Sequence, residues 1–320
     1  MTIGIGAIRC LLPGDRVDVA ELPEMRRLTD AEKEFVARSG VRTVGVFDGK
    51  SPAELAAQAC RELLIDTPAE PDLMILIGPR APDVLIGSDA GRVQAESNLA
   101  STFPFTLDGL GCAGSSAAWA LARDLLVADP SRNSILITYA SRPTGVDRIR
   151  VPVTVIGDGA FAMTMVRGGR PVLRAHRMEA DGRFHDLFRV EYKQTPFEQW
   201  REECRDNDVY SFQLAMESRV RLSRLVDQVL TDAGVGKADV ATTLMQNVTA
   251  SAYTFYEKVL GLPIHPVCAT HLADGGHLGA MDVVLNLDQV LRTGDVGPGD
   301  LVLVLSNSPV AAWTVTLWEV

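Results

Sequence analysis

Cys112 stands in Gly111-Cys112-Ala113-Gly114-Ser115-Ser116, between a strand-like stretch at 105–110 and a helical pattern at 117–127. A cysteine in that position has a physical use. The first turn of a helix presents unpaired N–H groups and partial positive charge, which stabilise a thiolate and lower the thiol pKa. The same N–H groups can hold the oxyanion that forms when a thiol attacks a thioester. The small neighbours leave room for an acyl chain. His277, in Gly276-His277-Leu278-Gly279-Ala280, opens a second helix start rich in small residues and is a candidate general base. Each residue also has a simpler use, as a buried structural cysteine and as a helix-capping histidine.

The surrounding patterns are those of an α/β protein. Ser51-Pro52-Ala53-Glu54 is a capping box with Pro at the first helical position, opening a helix to about Leu64. An apolar run at 73–78 and another at 134–141 read as buried strands. Residues 91–101 read as helical. Segments 151–156 and 161–166 flank Gly157-Asp158-Gly159-Ala160, a hairpin signal. The second half repeats the order: a long helix at 213–233, a strand at 241–245, and a helix at 249–260 closed by Gly261. A further helix starts at 275–280, and two strands close the chain at 301–305 and 312–320. Cys112 and His277 each begin a helix that precedes a pair of strands. That repeat predicts two similar α/β halves, 1–168 and 169–320, related by a pseudo-twofold axis. It places the two side chains at equivalent helix N-termini. The region 168–208 is expected to join the halves and cover the site, with 194–208 as a polar loop or cap.

Composition bounds the function. The chain has 320 residues, of which 47% are hydrophobic, enough for a large core. Its formal net charge of -10 argues against a nucleic-acid partner. Five cysteines, an odd number, argue against a disulfide scaffold. Cys10, Cys60, Cys204 and Cys268 lack metal-ligand spacing, so no metal is expected. The first twelve residues lack a basic n-region, and apolar runs such as 301–305 are too short to span a bilayer. These features point to a soluble protein of the reducing cytoplasm, without a membrane partner. Arg219, Arg221 and Arg224 on the 213–233 helix are either a local basic patch or an ordinary solvated face. His265 and His271 are read as loop residues, and His176 and His185 lack a supporting pattern.

Several segments resemble the thiolase-fold superfamily, and within it ketoacyl-acyl-carrier-protein synthase III. The six residues Ala37-Arg38-Ser39-Gly40-Val41-Arg42 resemble an early "TRTGIR" stretch. Residues 105–119 resemble the nucleophile strand and helix, with Cys112 at the nucleophile position. Ile156-Gly157-Asp158-Gly159-Ala160 matches a "GDGA" turn, and 294–305 resembles the "G-x-I-x-P-G-D" approach to the last strands. The resemblance spans nearly the whole chain. It implies a five-layered αβαβα fold, a homodimer, no bound cofactor, and an acyl carrier protein or CoA thioester as donor.

The chain departs from that pattern where the family's chemistry lies. Gln246-Asn247-Val248-Thr249 stands where "HQAN" is expected, and Gly276-His277 where "GN" is expected. The histidine has moved to the other half-site, as in the "GH-x-x-G-A-A-G" loop of other ketosynthases and the "GHP" of thiolases. The resemblance then implies a constellation of Cys112, His277 and an amide from Asn247 or Gln246. Ser306-Asn307-Ser308-Pro309 replaces a Gly-rich segment that offers an oxyanion-hole N–H. Pro309 has none, so Ser308 is the expected donor beside Cys112. Glu34 falls at the position of an adenine-stacking Trp, whereas Arg150 is kept near the expected Arg. The reading is an acyltransferase that works through a Cys112 thioester and passes the acyl group to a small-molecule O, N or C acceptor in specialised metabolism. A decarboxylative condensing enzyme and a non-catalytic partner subunit are the alternatives.

Overall fold

Strands β1 (Ile3–Leu11), β2 (Leu73–Ile77), β3 (Phe103–Leu107), β4 (Ser134–Ser141) and β5 (Gly159–Arg167) come from the first half of the chain. Strands β6 (Val172–Ala180), β7 (Val240–Met245), β8 (Leu301–Ser308) and β9 (Ala312–Glu319) come from the second. The helices are α1 (Asp30–Arg38), α2 (Pro52–Leu64), α3 (Asp89–Glu96), α4 (Gly114–Ala128), α5 (Ala215–Ala233), α6 (Ala250–Leu260), α7 (Pro266–Gly275) and α8 (Asp282–Thr293). This computed structural model describes residues 2–65, 70–82, 84, 86–143 and 147–320.

The strand order is β7-β8-β9-β6-β1-β5-β4-β2-β3. Strands β6 and β1 meet at a single register pair, Gly4 opposite Val172, so the run is two sheets joined at one point. The first sheet reads β3-β2-β4-β5-β1. The second reads β7-β8-β9-β6, and on the far side of β7 an isolated parallel bridge joins Thr243 to Ile264. That bridge occupies the place that β3 holds in the first sheet. Directions match as well: β2–β4 and β7–β8 are parallel, whereas β4–β5, β5–β1, β8–β9 and β9–β6 are antiparallel.

Helix α4 explains the layering. Its first half is made mostly of small residues, and Gly114 through Ala120 are all buried. Such a helix must be covered all round. It packs on β2, β4 and β5 of its own sheet and on β6 and β9 of the other. Trp119 bridges the two: its Nε1–H points to Met163 Sδ on β5, and its ring meets Trp318 on β9 edge-on at 5.3 Å. Helix α8 lies on β7 and β8, and the turn before it reaches β4 and β5. Helices α2 and α3 cover the outer face of the first sheet, and α5 that of the second. The result is the five-layered αβαβα arrangement, with α4 and α8 in the middle layer. The capping box at Ser51 is present: its Oγ accepts from the Glu54 N–H, and Glu54 Oε2 accepts from the Ser51 N–H at 2.6 Å.

Several expectations change. The hairpin at 157–160 does not form, because β5 pairs with β4 and β1, while Thr154 and Val155 pair with Arg150 and Ile149. The turn serves the site instead. The Gly157 N–H donates to the His277 carbonyl at 3.1 Å, and the His277 N–H to the Val155 carbonyl at 2.9 Å. The region 168–208 is not all connection, since Val172–Ala180 is the β6 strand. The covering segment starts after it. The helix expected at 91–101 runs from Asp89 to Glu96, capped by Ser88. His271 lies on α7 rather than in a loop, and His265, just before α7, caps its first turn, with Nδ1 accepting from the Val267 N–H. Among the described residues no helix is long and apolar enough to cross a membrane.

Candidate active site

Two one-turn helices face each other in the middle layer. Gly111–Ala113 leads into α4, and Gly279–Met281 leads into α8. Each starts with a glycine at positive φ, 52° at Gly111 and 62° at Gly279, where a side chain is strained. Each glycine is also pressed against the other half. A Cβ on Gly111 would lie 2.4 Å from Ser308 Oγ on β8, and a Cβ on Gly279 would lie 2.3 Å from the Tyr139 hydroxyl on β4. The turns are locked together by Ser115, whose hydroxyl donates to the Ala280 carbonyl at 2.6 Å.

In these matched turns Cys112 corresponds to Ala280. The two proposed catalytic side chains are therefore not at equivalent positions, as the repeat had suggested. His277 precedes the second turn and reaches across from the loop that the Gly157 turn holds. Its Nε2 lies 3.1 Å from Cys112 Sγ. Its Nδ1 lies 2.5 Å from Asp282 Oδ2, the first residue of α8. Asp282 is wholly buried and fixed by two backbone donors: the Leu278 N–H at 2.7 Å on one oxygen and the Asn247 N–H at 2.9 Å on the other. Thiol, imidazole and carboxylate form one line.

The charges of this line support one another. Burial opposes charge on the Cys112 thiol, but the facing His277 imidazole outweighs it and draws the thiol below its ordinary value. Burial equally opposes charge on His277, yet the Cys112 thiolate and the Asp282 carboxylate push its pKa up to about 10. Each charge, where present, favours the other: the imidazolium favours the thiolate and the thiolate the imidazolium.

The expected amide does not join the line. Gln246 is turned to β8, where its Nε2 donates to the Asn307 carbonyl and its Oε1 accepts from the Asn307 N–H. Asn247 faces into the second half. Its Oδ1 accepts from the Tyr253 hydroxyl and from Asn286 Nδ2, and its role toward the site is the N–H that holds Asp282. Neither side chain lines the cavity above Cys112. Sequence reasoning missed Asp282 because an acidic residue in a helix's first turn is ordinarily read as a match to the helix dipole. Its spacing of five residues after His277 was the available signal.

Above Cys112 and His277 lies a cavity of about 460 Å³. Ser308 lines it, next to Gly111. Residues of the covering segment close it, among them Phe188, Tyr192, Trp200 and Glu202. Arg150 also lines it, but as an interior residue rather than an open platform. Its guanidinium stacks on Phe188 at 4.6 Å and pairs with Glu202, which accepts from Nε at 2.6 Å. Glu202 pairs with Arg80 as well. Glu34 lies on exposed α1, next to Arg38.

The basic patch on α5 does not exist as expected. Arg221 is held by Glu179, Asp181 and Glu217 and stacked over Trp313, and Arg224 is paired with Glu179. Their charge is spent within the molecule. Arg219 remains exposed on the same helix.

Comparison with known proteins agrees with this fold. Residues 230–320 match the family model for the C-terminal part of 3-oxoacyl-[acyl-carrier-protein (ACP)] synthase III. The chain is 26% identical over 321 residues to a beta-ketoacyl-[acyl-carrier-protein] synthase III of Coxiella burnetii, covering 98% of this chain and 97% of the relative. Among solved structures, the ChlB3 acyltransferase superposes with a TM-score of 0.84 at 22% identity, covering 100% of this chain and 98% of that one. The 3-oxoacyl-(acyl carrier protein) synthase III of Pseudomonas aeruginosa PAO1 superposes with a TM-score of 0.79 at 19% identity, with coverage of 100% and 98%.

Proposed function

From a thiolase-fold chain similar along its length to ketoacyl-acyl-carrier-protein synthase III, we propose an acyltransferase that carries its acyl group on Cys112. The observation that supports this reading is the Cys112–His277–Asp282 line, at 3.1 and 2.5 Å, in place of a paired His and Asn. A single oriented base suits acyl transfer to an O–H or N–H acceptor.

The steps follow from the residues. The Cys112 thiolate attacks the carbonyl carbon of a carrier-protein or CoA thioester. The tetrahedral oxyanion is held by the Cys112 N–H and by Ser308 beside it. The intermediate collapses with loss of the donor thiolate, which takes the proton of His277. An acceptor then enters, His277 Nε2 removes its proton, and the acceptor attacks the Cys112 thioester. Collapse of the second intermediate releases the product and returns the thiolate, with the proton left on His277. Asp282 holds the imidazole in one orientation throughout. The protein works as a homodimer in this reading; the open edge of the first sheet at β3, with Phe103 exposed, is a surface able to pair.

The test is intact-protein mass spectrometry after incubation with a panel of acyl-CoA and acyl-carrier donors. An acyl mass that maps to Cys112 supports the proposal. No adduct from any donor would point to a non-catalytic partner subunit. Decarboxylative condensation is the second reading, favoured by the names of the curated relatives. A malonyl donor given to the acylated enzyme separates the two: carbon dioxide with a 3-oxo product would replace transfer by condensation.

A further inference from the structure

The cavity carries more cationic charge than acyl transfer from a neutral chain requires. Its wall combines Arg80, Arg142, Arg150 and Arg189 with the carboxylates of Asp108 and Glu202. Glu202 is shared between Arg80 and Arg150, so one carboxylate serves two guanidinium groups. Burial, and then repulsion from Arg150, lower the Arg80 pKa to about 9. Arg189 is paired outward with Glu191 at 2.9 Å. Asp108 is exposed at the rim, with Oδ1 accepting from the Gly109 N–H. Arg142 has no ion pair or hydrogen bond among the described residues, and its Nη1 is sealed from solvent without a partner. A buried guanidinium nitrogen left unpaired costs more than an ordinary lost hydrogen bond. A structure keeps such a group when something else completes it.

We propose that the Arg80–Arg142–Arg150 wall is a carboxylate-binding subsite, and that the acyl group carried by Cys112 ends in a carboxylate. This inference rests on the acyl-transfer reading above and names the substrate class for the same site. The acyl group, rather than the donor's phosphates, is indicated by position. Arg80, Arg142 and Arg150 line the same cavity as the Cys112 thiol, which Phe188, Tyr192 and Trp200 close. The rest of the lining is largely apolar, which suits a short methylene chain between thioester and carboxylate. The group would be transferred whole, since a carboxylate held by guanidinium groups is stabilised against loss as carbon dioxide.

The experiment compares thioester pairs of equal length on N-acetylcysteamine, which carries no phosphate: succinyl against butyryl, and glutaryl against pentanoyl. The readout is the rate of Cys112 acylation by mass spectrometry. The carboxylate member of each pair is expected to react about tenfold faster, the size of one charge-assisted hydrogen bond. Arg142→Gln is expected to reduce that ratio toward one, and Arg142→Lys, which keeps the charge, to retain most of it. Circular dichroism establishes that both variants fold. Equal rates within each pair, or a preference that survives both Arg142→Gln and Arg80→Gln, would overturn the subsite. Acylation by butyryl and pentanoyl without any preference would leave the acyl-transfer reading standing. A Cys112 unreactive to all four thioesters and to the wider donor panel would remove that reading itself.

Discussion

The turn Gly111-Cys112-Ala113 and the turn Gly279-Ala280-Met281 have the same backbone device and opposite contents. Both start at a left-handed glycine pressed against the opposite half, and both launch a middle-layer helix. The first places its reactive atom inside the turn, at the helix start. The second has alanine there and brings its reactive ring from the residue two before the glycine. The difference shows what duplication supplies and what it does not. The repeat provides two facing helix starts at close range. The chemistry needs a nucleophile at one start and a base that projects across, so the two halves cannot remain alike.

The largest test of that division is removal of the crossing ring. His277→Ala should leave the fold intact and lower turnover by about a thousandfold or more, measured with any donor shown to load Cys112. Next is the residue that orients it. Asp282→Asn should lower turnover by about a hundredfold to ten-thousandfold, because the carboxylate that aligns the ring and stabilises its proton is gone. It should also raise the pH at which Cys112 alkylates with iodoacetamide. The sign follows from the wild-type line: the thiol is held below its ordinary value, so thiolate reactivity persists as pH falls and is lost only below that depressed value. A midpoint at or above that of a free thiol in the wild-type protein would refute the ion pair.

Smaller effects test the matched backbones. Gly279→Ala should cost about 1–3 kcal/mol of stability in a denaturant melt, from strain at positive φ and the clash with Tyr139. Gly111→Ala should cost a similar amount, through Ser308. A large cost at one site and none at the other would show that the symmetry is only apparent. The smallest expected effect lies further from the thiol. Asn286 Nδ2 donates to the Asn247 side-chain oxygen, and the Asn247 backbone N–H donates to Asp282. Asn286→Ala should lower turnover about tenfold and move the alkylation midpoint in the same direction as Asp282→Asn; a purely structural role would leave the midpoint unchanged.

Much of this architecture was legible because it rests on local signals. The capping box at Ser51, the αL glycine after α6 and the buried runs of β2 and β4 each declare themselves within a few residues. The pairing of Cys112 with His277 was reached through the repeat, which placed them at equivalent helix starts; the structure pairs them but matches Cys112 with Ala280. What was not legible depends on contacts between distant segments. The 151–166 stretch looks like a hairpin locally, yet β5 finds better partners in β4 and β1, far away in sequence. Gln246 and Asn247 had the right chemistry, but Asn307 engages the Gln246 amide, and Asn247 turns its carbonyl oxygen to Asn286 and Tyr253, away from the cavity. Arg221 and Arg224 looked free because their partners, Glu179 and Asp181, lie on and just beyond β6, in a stretch read as connection. Arg142 carried no motif at all.

The 3.1 Å contact between Cys112 and His277 also acts as a clock. A thiolate on Cys112 raises the His277 pKa, and an imidazolium on His277 lowers that of Cys112, so each charge favours the other. Once an acyl group sits on sulfur, that negative charge no longer exists. Burial then pulls against the imidazolium with only Asp282 to oppose it, and its hold on the proton weakens. If Cys112 carries the acyl group as proposed, loading it would convert His277 from an acid suited to the departing donor into a base suited to the arriving acceptor. In the proposed reaction the order of the two half-reactions would then follow from one pair of atoms, since an acceptor that entered early would meet a histidine still holding its proton.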